Sequence, residues 1–300
     1  MGISRRSFLK FCITCSAALG LGPMDILNMQ VALAKTGGPK VIWLQGSGCS
    51  GCSISFLNRI SDTVPTTAAN VLQDSIDLIY HPTLMAAAGS QAASIIRDAI
   101  AAGGYVLLVE GGVPTAFGGA ACWPWSIDGK EVTFQEAVIQ AAANAAKVVC
   151  VGACASFGGV SAAGENPTGV TSVAKAIGKP TVNIPGCPPH PDWIVWAIAQ
   201  ILAGNAIELD AQSRPTALYG TRVHDDCQRL PKYQSKTFAS ICGVDESCLN
   251  LLGCRGPNTG APCPTMKWNN GANWCVDANA NCVGCTESTF PGGDLHVTLF

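Results

Sequence analysis

The chain has 300 residues, of which 48% are apolar and only 13% charged, with a net charge of −2. That length admits one large domain or two smaller ones with a real core, and the charge gives no electrostatic case for nucleic acid. A charged share well below the usual ~25% points to a surface covered by a partner, and 16 cysteines, half of them after residue 200, point to metal or disulfide chemistry.

Residues 1–34 read as a leader, not as fold. "SRRSFLK" carries the twin arginine Arg5–Arg6, an apolar stretch runs from Phe8 to about Leu21, and "ALAK" offers a small-residue cleavage site after Ala34. The apolar run is short for a membrane span, which needs ~20 residues. A twin-arginine signal exports proteins already folded with their cofactors, so the expected location is the periplasm. Cys12 and Cys15 fall within this leader.

From about Lys40 to Asp210, strands and helices alternate. Strand candidates are "KVIWLQG", "IDLIYHP", "YVLLVEGG", "KVVCVGAC" and "PTVNIPGC"; helix candidates are "SISFLNRISDTV", "GSQAASIIRDAIAAG", "TFQEAVIQAAANAA" and "PDWIVWAIAQILAG". Continuous apolar strands between helices predict a parallel sheet covered on both faces. The expected class is α/β, a flavodoxin-like doubly wound sheet over residues 35–215. Residues 216–300 form a second expected domain, rich in cysteine, proline, glycine and asparagine and poor in regular structure. Core burial alone cannot easily hold such a segment, so disulfides or metal sites must tie it down.

The stretch "VIWLQGSGCSGCSIS" ends a strand in glycines, without a G-x-G-x-x-G or a Walker-type lysine. Cys49 and Cys52 stand where a nucleotide phosphate would otherwise sit. Two further strand candidates also finish in a cysteine, Cys154 and Cys187, and ligands of open α/β sheets bind beyond those ends. Four thiolates from separate strand ends suit a cubane 4Fe-4S cluster. A closed zinc site of four cysteines is the alternative, and a disulfide is a weaker one, because C-x-x-C pairs more often serve redox or metal chemistry. Cys150, inside its strand, reads as a buried core thiol. The tail adds eight candidate ligands, and their order groups His224, Cys227, Cys248 and Cys254 in one site and Cys263, Cys275, Cys282 and Cys285 in another.

Taken together, "GCSGCS", "GACASFGG", "PGCPPHPDW", "VHDDC", "LGCRGP" and "NWCV…CVGC" resemble the small subunit of a nickel–iron hydrogenase, in the family's order and over essentially the whole chain. The resemblance implies three clusters in a line. The proximal cluster would take Cys49, Cys52, Cys154 and Cys187; the medial one Cys263, Cys275, Cys282 and Cys285; the distal one, 4Fe-4S, His224, Cys227, Cys248 and Cys254. Many relatives have proline where Cys275 stands and hold a 3Fe-4S medial cluster. A fourth thiolate implies 4Fe-4S there, as in the nickel–iron–selenium branch, with a lower potential. Gly51 and Gly159 occupy positions where oxygen-tolerant relatives carry extra cysteines, which implies an ordinary proximal cubane. Ile54, where many relatives have glutamate, again resembles the selenium branch.

The implied reaction is reversible oxidation of dihydrogen to two protons and two electrons. It would occur at a Ni-Fe site on a large partner subunit, so no catalytic residue is expected in this chain. The implied acceptor is a multihaem c-type cytochrome or a membrane electron acceptor. Glu110, at a strand end, is a candidate for a proton route or a partner contact, with a capping or loop-bonding carboxylate as the alternative. His190 reads as a turn histidine, Cys122 as a structural thiol, and Trp268 and Trp274 as packing around the medial cluster. The ending "TFPGGDLHVTLF" predicts no C-terminal transmembrane anchor. Two other classes compete: the cluster-bearing subunit of a respiratory quinone reductase, which would need no cysteine-rich tail, and a secreted zinc or disulfide protein.

Overall fold

The strand sequences are apolar at nearly every position, so each strand must be covered on both faces. In the computed structural model, which describes residues 38–62 and 65–292, they are. The leader expected over residues 1–34, with Cys12 and Cys15, lies outside the described residues, as do the last eight residues of the chain's ending.

The strands are β1 (Lys40–Gln45), β2 (Asp77–Tyr80), β3 (Val106–Glu110), β4 (Val113–Pro114), β5 (Trp125–Ile127), β6 (Lys130–Val132), β7 (Lys147–Val151), β8 (Val170–Thr171) and β9 (Val182–Ile184). Five of them form a parallel sheet in the order β2-β1-β3-β7-β9. That is the flavodoxin-like order, with its switch point between β1 and β3. The register sets Gln45 beside Glu110, Glu110 beside Val151, and Val151 beside Ile184. The last residues of four strands thus make one row along the carboxyl edge.

Alternate strand residues feed two cores. Ile42, Leu44, Leu107, Val109 and Cys150 pack with Ile96, Phe134 and Val138 of the Gly89–Ala102 and Phe134–Asn144 helices. Val41, Trp43, Leu108, Val149 and Val151 pack with Trp193, Ile194 and Ala197 of the Pro191–Leu202 helix. Cys150 is fully buried, and burial pushes its thiol up to about 12.

The five expected strands and three of the four expected helices stand where the pattern puts them. The first helix differs: it spans Gly51–Leu57 and stops there. Arg59 turns inward instead, is fully buried, and bonds Asp192 at 2.8 Å and the Pro65 carbonyl. A buried charge requires such partners, and meeting them ends the helix. The pattern also passed over the Ala68–Asp74 helix, opened by a Thr67–Asn70 capping box, and the β5–β6 hairpin.

Beyond Tyr219 regular structure is sparse, with short helices at Leu230–Gln234 and Cys263–Met266. This tail nevertheless shares the sheet's core. Tyr219, Val223, Leu249, Trp274 and Val276 join the cluster that holds Trp193, and Trp193 meets Tyr219 and Trp268 edge-on at 5.5 and 6.0 Å. Buried arginines supply the missing ladders. Arg214 pairs with Asp210 and Glu287 and donates to the Thr286 carbonyl. Arg229 donates to the Ser247 and Val276 carbonyls and to Asn279. No helix among the described residues is long and apolar enough to cross a membrane.

The reactive form of cysteine is the thiolate, so the buried Cys150 should resist chemistry. Iodoacetamide at about pH 8 is expected to leave Cys150 unmodified in the folded protein and to alkylate it after unfolding, as read by peptide mass mapping. Rapid modification in the native state would contradict its place in the core.

Candidate metal centres

The turn after β1 begins as an extension of the sheet. Gly46 donates to the Glu110 carbonyl at 2.7 Å, and Ser47 and Gly112 exchange backbone bonds at 3.0 and 2.8 Å. Ser50, in the left-handed region, then turns the chain into the Gly51–Leu57 helix with Cys49 and Cys52 on either side of the bend. Cys154 follows β7 and Cys187 follows β9, and Ala153 is tied to the Gly186 carbonyl at 2.9 Å. All four thiols therefore gather along the carboxyl edge at the switch point. Burial pushes the Cys52 thiol well above the ordinary range for cysteine, Glu110 raises it further, and Cys154, Cys49 and Cys187 add to the shift. Ser161 bridges the Ser47 carbonyl at 2.7 Å and the Cys154 sulfur at 3.4 Å.

Glu110, 2% exposed, lies directly beneath this set. Its carboxylate accepts from the backbone N–H groups of Cys52 (2.9 Å) and Ser53 (3.2 Å), from Ser53 Oγ (2.5 Å), from Trp43 Nε1 (3.1 Å) and from Gln45 Nε2 (3.3 Å). His81 extends the chain. Its Nδ1 accepts the Thr83 N–H at 3.1 Å, so Nε2 carries the proton and donates to Ser53 Oγ at 3.1 Å. Burial lowers His81 to about 4, against the opposing pull of Glu110, so the ring is neutral at neutral pH. Ser53, His81, Gln45 and Ser161 escaped the sequence reading; only Ser53, beside Cys52, carried any positional hint.

The second set gathers in the tail. Burial pushes Cys263 well above the ordinary thiol range, and Cys285, Cys282 and Cys275 raise it further. Burial likewise pushes Cys285 up to about 12, opposed by a hydrogen bond from the Cys187 backbone N–H and reinforced by Cys282 and Cys275. Cys275 and Cys285 also line a cavity of about 590 Å³, together with Cys187, His190, Trp268 and Trp274. His190 accepts the Asp192 N–H and contacts the Lys267 carbonyl at 2.6 Å. It caps the Pro191–Leu202 helix and pins the tail to it, as befits a turn histidine.

The third set, His224, Cys227, Cys248 and Cys254, lines one small cavity closed by Trp274 and Val276. Burial raises the Cys227 thiol, the Arg229 backbone N–H opposes this, and Cys254 and Cys248 raise it further. Tyr233 stands edge-on to the His224 ring at 4.5 Å. The three sets are contiguous. Cys187 of the first lines one cavity with Cys275 and Cys285 of the second, and Arg255, next to Cys254 of the third, donates to the Cys282 carbonyl at 2.7 Å.

All 14 described cysteines are free thiols. No three His, Cys, Asp or Glu side chains among the described residues stand close enough to hold one metal ion. The donor chemistry fits iron–sulfur clusters: soft thiols in fours, one imidazole, and N–H donors aimed at sulfur. Thiols crowded away from water ionise only against a compensating cation, which an iron core provides.

A flavodoxin-like sheet with thiols along its carboxyl edge, continued by a cysteine-rich tail, is the scaffold of a protein built to hold thiol-ligated centres. A family model described as "NADH ubiquinone oxidoreductase, 20 Kd subunit" matches residues 49–201, and one for the C-terminal part of the NiFe/NiFeSe hydrogenase small subunit matches residues 219–296. The periplasmic NiFeSe hydrogenase small subunit of Desulfomicrobium baculatum is 39% identical across 98% of this chain and 98% of its own length. The periplasmic NiFe hydrogenase small subunit of Solidesulfovibrio fructosivorans is 38% identical across 96% and 90%. The solved structure of H2-activated, anaerobically purified Dm. baculatum NiFeSe hydrogenase matches with a TM-score of 0.81 at 39% identity, covering 88% of this chain and 99% of that one. The chain belongs to the small-subunit family of NiFe and NiFeSe hydrogenases.

Two substitutions test the first set. A Cβ at Gly152, whose φ is +94°, would lie 2.4 Å from the Cys52 sulfur. Gly152→Ala should therefore displace the Cys52 sulfur and lower the iron content of the purified heterodimer; full iron content would contradict that packing. Glu110→Gln turns an amide N–H toward donors. A loss of about 1–3 kcal/mol is expected for the unsatisfied buried groups, read as a lower denaturation midpoint of the purified heterodimer. An unchanged midpoint would show that the five-donor cradle does not matter to stability.

Proposed function

We propose that this chain is the electron-transferring small subunit of a heterodimeric, uptake-type hydrogenase. The observation that carries the reading is the contiguity of three four-donor sets: Cys187 shares a cavity with Cys275 and Cys285, and Arg255, next to Cys254, donates to the Cys282 carbonyl at 2.7 Å. Cys49, Cys52, Cys154 and Cys187 would hold a proximal 4Fe-4S cluster. Cys263, Cys275, Cys282 and Cys285 would hold a medial one, also 4Fe-4S, and His224, Cys227, Cys248 and Cys254 a distal one. Such clusters, when bound, supply one-electron redox chemistry, with potentials set by cluster type, charge and hydrogen bonding. A neutral imidazole ligand, His224, makes the distal site less negative and favours a higher potential there.

The protein's own part is to bind, space and insulate. Residues 35–215 act as the sheet domain that presents the proximal set, and residues 216–300 as the domain that carries the other two. Glu110 holds the Cys52 turn through its backbone amides, which favours the loop-bonding role over a partner contact. Its link through Ser53 to a neutral His81 leaves a proton route as a secondary role. Gly51 and Gly159 support an ordinary proximal cubane, because a Cβ at Gly159 would lie 2.8 Å from the Cys154 backbone nitrogen.

Dihydrogen oxidation belongs to the Ni-Fe site of the large subunit. Exposed Ile54, Phe117 and Val160, on segments that follow the strand ends, support its docking over the proximal edge. Exposed Ile241, Val244 and Leu251, beside the distal ligands, support contact with an acceptor there. A multihaem c-type cytochrome or a membrane electron acceptor is the partner expected by family analogy. The twin arginine Arg5–Arg6, together with periplasmic relatives, supports export by the twin-arginine route. The quinone-reductase alternative shares the sheet region, as the match over residues 49–201 reflects, but the match over residues 219–296 favours the hydrogenase reading.

Dihydrogen admitted to the anaerobic heterodimer should bleach the broad visible absorption of the oxidised chain. Cys187→Ala, with the large subunit still bound, should abolish that bleaching. A wild-type heterodimer whose colour persists under dihydrogen would overturn the proposed function.

A further inference from the structure

Trp274 stands apart from the other tryptophans by its position. It is 3% exposed and lines both the cavity that holds Cys275 and Cys285 and the cavity lined by His224, Cys227, Cys248 and Cys254. It is thus common to a cavity of the second ligand set and the cavity of the third, and it immediately precedes the ligand candidate Cys275. Its indole N–H is buried and has no hydrogen-bond partner among the described residues. Two other buried indoles find acceptors, Trp43 at Glu110 and Trp193 at the Met266 sulfur, and the remaining orphan, Trp196, lines neither cavity.

A buried donor without an acceptor is costly, and the two cavities this residue lines border the ligand sets that would hold clusters. We infer that the Trp274 Nε1–H donates a hydrogen bond to a sulfur, thiolate or sulfide, of an iron–sulfur cluster bound in one of these two cavities, and so raises that cluster's reduction potential. This rests on the cluster reading proposed above. The physical basis is direct. Reduction adds negative charge to the sulfurs, a donor hydrogen bond stabilises the more negative state, and the potential rises accordingly. Trp274 is then a tuning residue as well as buried packing between the tail loops.

Potentiometric EPR titration of the purified heterodimer tests this, with iron assayed on the same samples. Trp274→Phe removes the donor. A 3-benzothienylalanine at position 274 keeps the two-ring shape and removes only the N–H, so it serves if the phenylalanine variant loses iron. The expected result is full iron content with the reduction equilibrium of one cluster, medial or distal, shifted up to about tenfold toward the oxidised form, or ~59 mV for a one-electron couple. Which signal moves identifies the sulfur acceptor. Trp196 is the control: its indole N–H is also buried and unpartnered, but it lines neither cavity, and Trp196→Phe should move neither potential. Full iron with both potentials unchanged in the benzothienyl variant, or an equal shift in Trp196→Phe, would overturn the inference alone. A wild-type heterodimer without iron would overturn the cluster reading and this inference with it.

Discussion

Thiols packed together away from water resist ionisation, and everything distinctive about this chain follows from overcoming that resistance. Cys52, Cys263 and Cys285 are all pushed up by burial and by neighbouring sulfurs. Among the described residues no cation offsets them, and the carboxylate of Glu110 raises Cys52 further still. Left without metal, such thiols stay protonated; a positively charged core is what would let them ionise together. The fold supplies the convergence at low cost, because a parallel sheet delivers several strand ends to one edge whether or not a ligand is there.

The tail solves the same problem without a sheet. Its loops share the hydrophobic core beneath the Pro191–Leu202 helix, through Tyr219, Trp268 and Trp274. Their backbone carbonyls are met by buried arginines: Arg229 spans the segments that carry Cys227, Cys248 and Cys275, and Arg214 clamps the segment after Cys285. Family membership and this packing agree. The sheet region is shared with a quinone-reductase subunit family, and the hydrogenase character resides in the tail.

Much of this was legible in the sequence for physical reasons. Five buried parallel strands produce uninterrupted apolar runs, and cysteines at their ends declare a shared edge; the order of the tail cysteines suggests a grouping, and His224, Cys227, Cys248 and Cys254 do line one cavity. What escaped was non-local or local in the wrong way. Nothing near Arg59 signals that Asp192, far along the chain, will draw it inward and end the first helix. The hairpin at Asp128–Gly129, both at positive φ, carried a recognisable Asp-Gly signal that the surrounding alternation overshadowed. The Ser53–His81 extension of Glu110 depends on tertiary approach across three strands, and no spacing encodes it. Core burial also does more for the tail than its composition suggested.

The central question is whether three four-ligand sets hold three cubanes. Iron and acid-labile sulfide should be counted on the anaerobically purified heterodimer, with EPR spectra of the oxidised and reduced states. About twelve cluster irons per small subunit, with no 3Fe-4S signal on mild oxidation, is the predicted result. About four irons or none would contradict it, leaving the tail thiols without clusters.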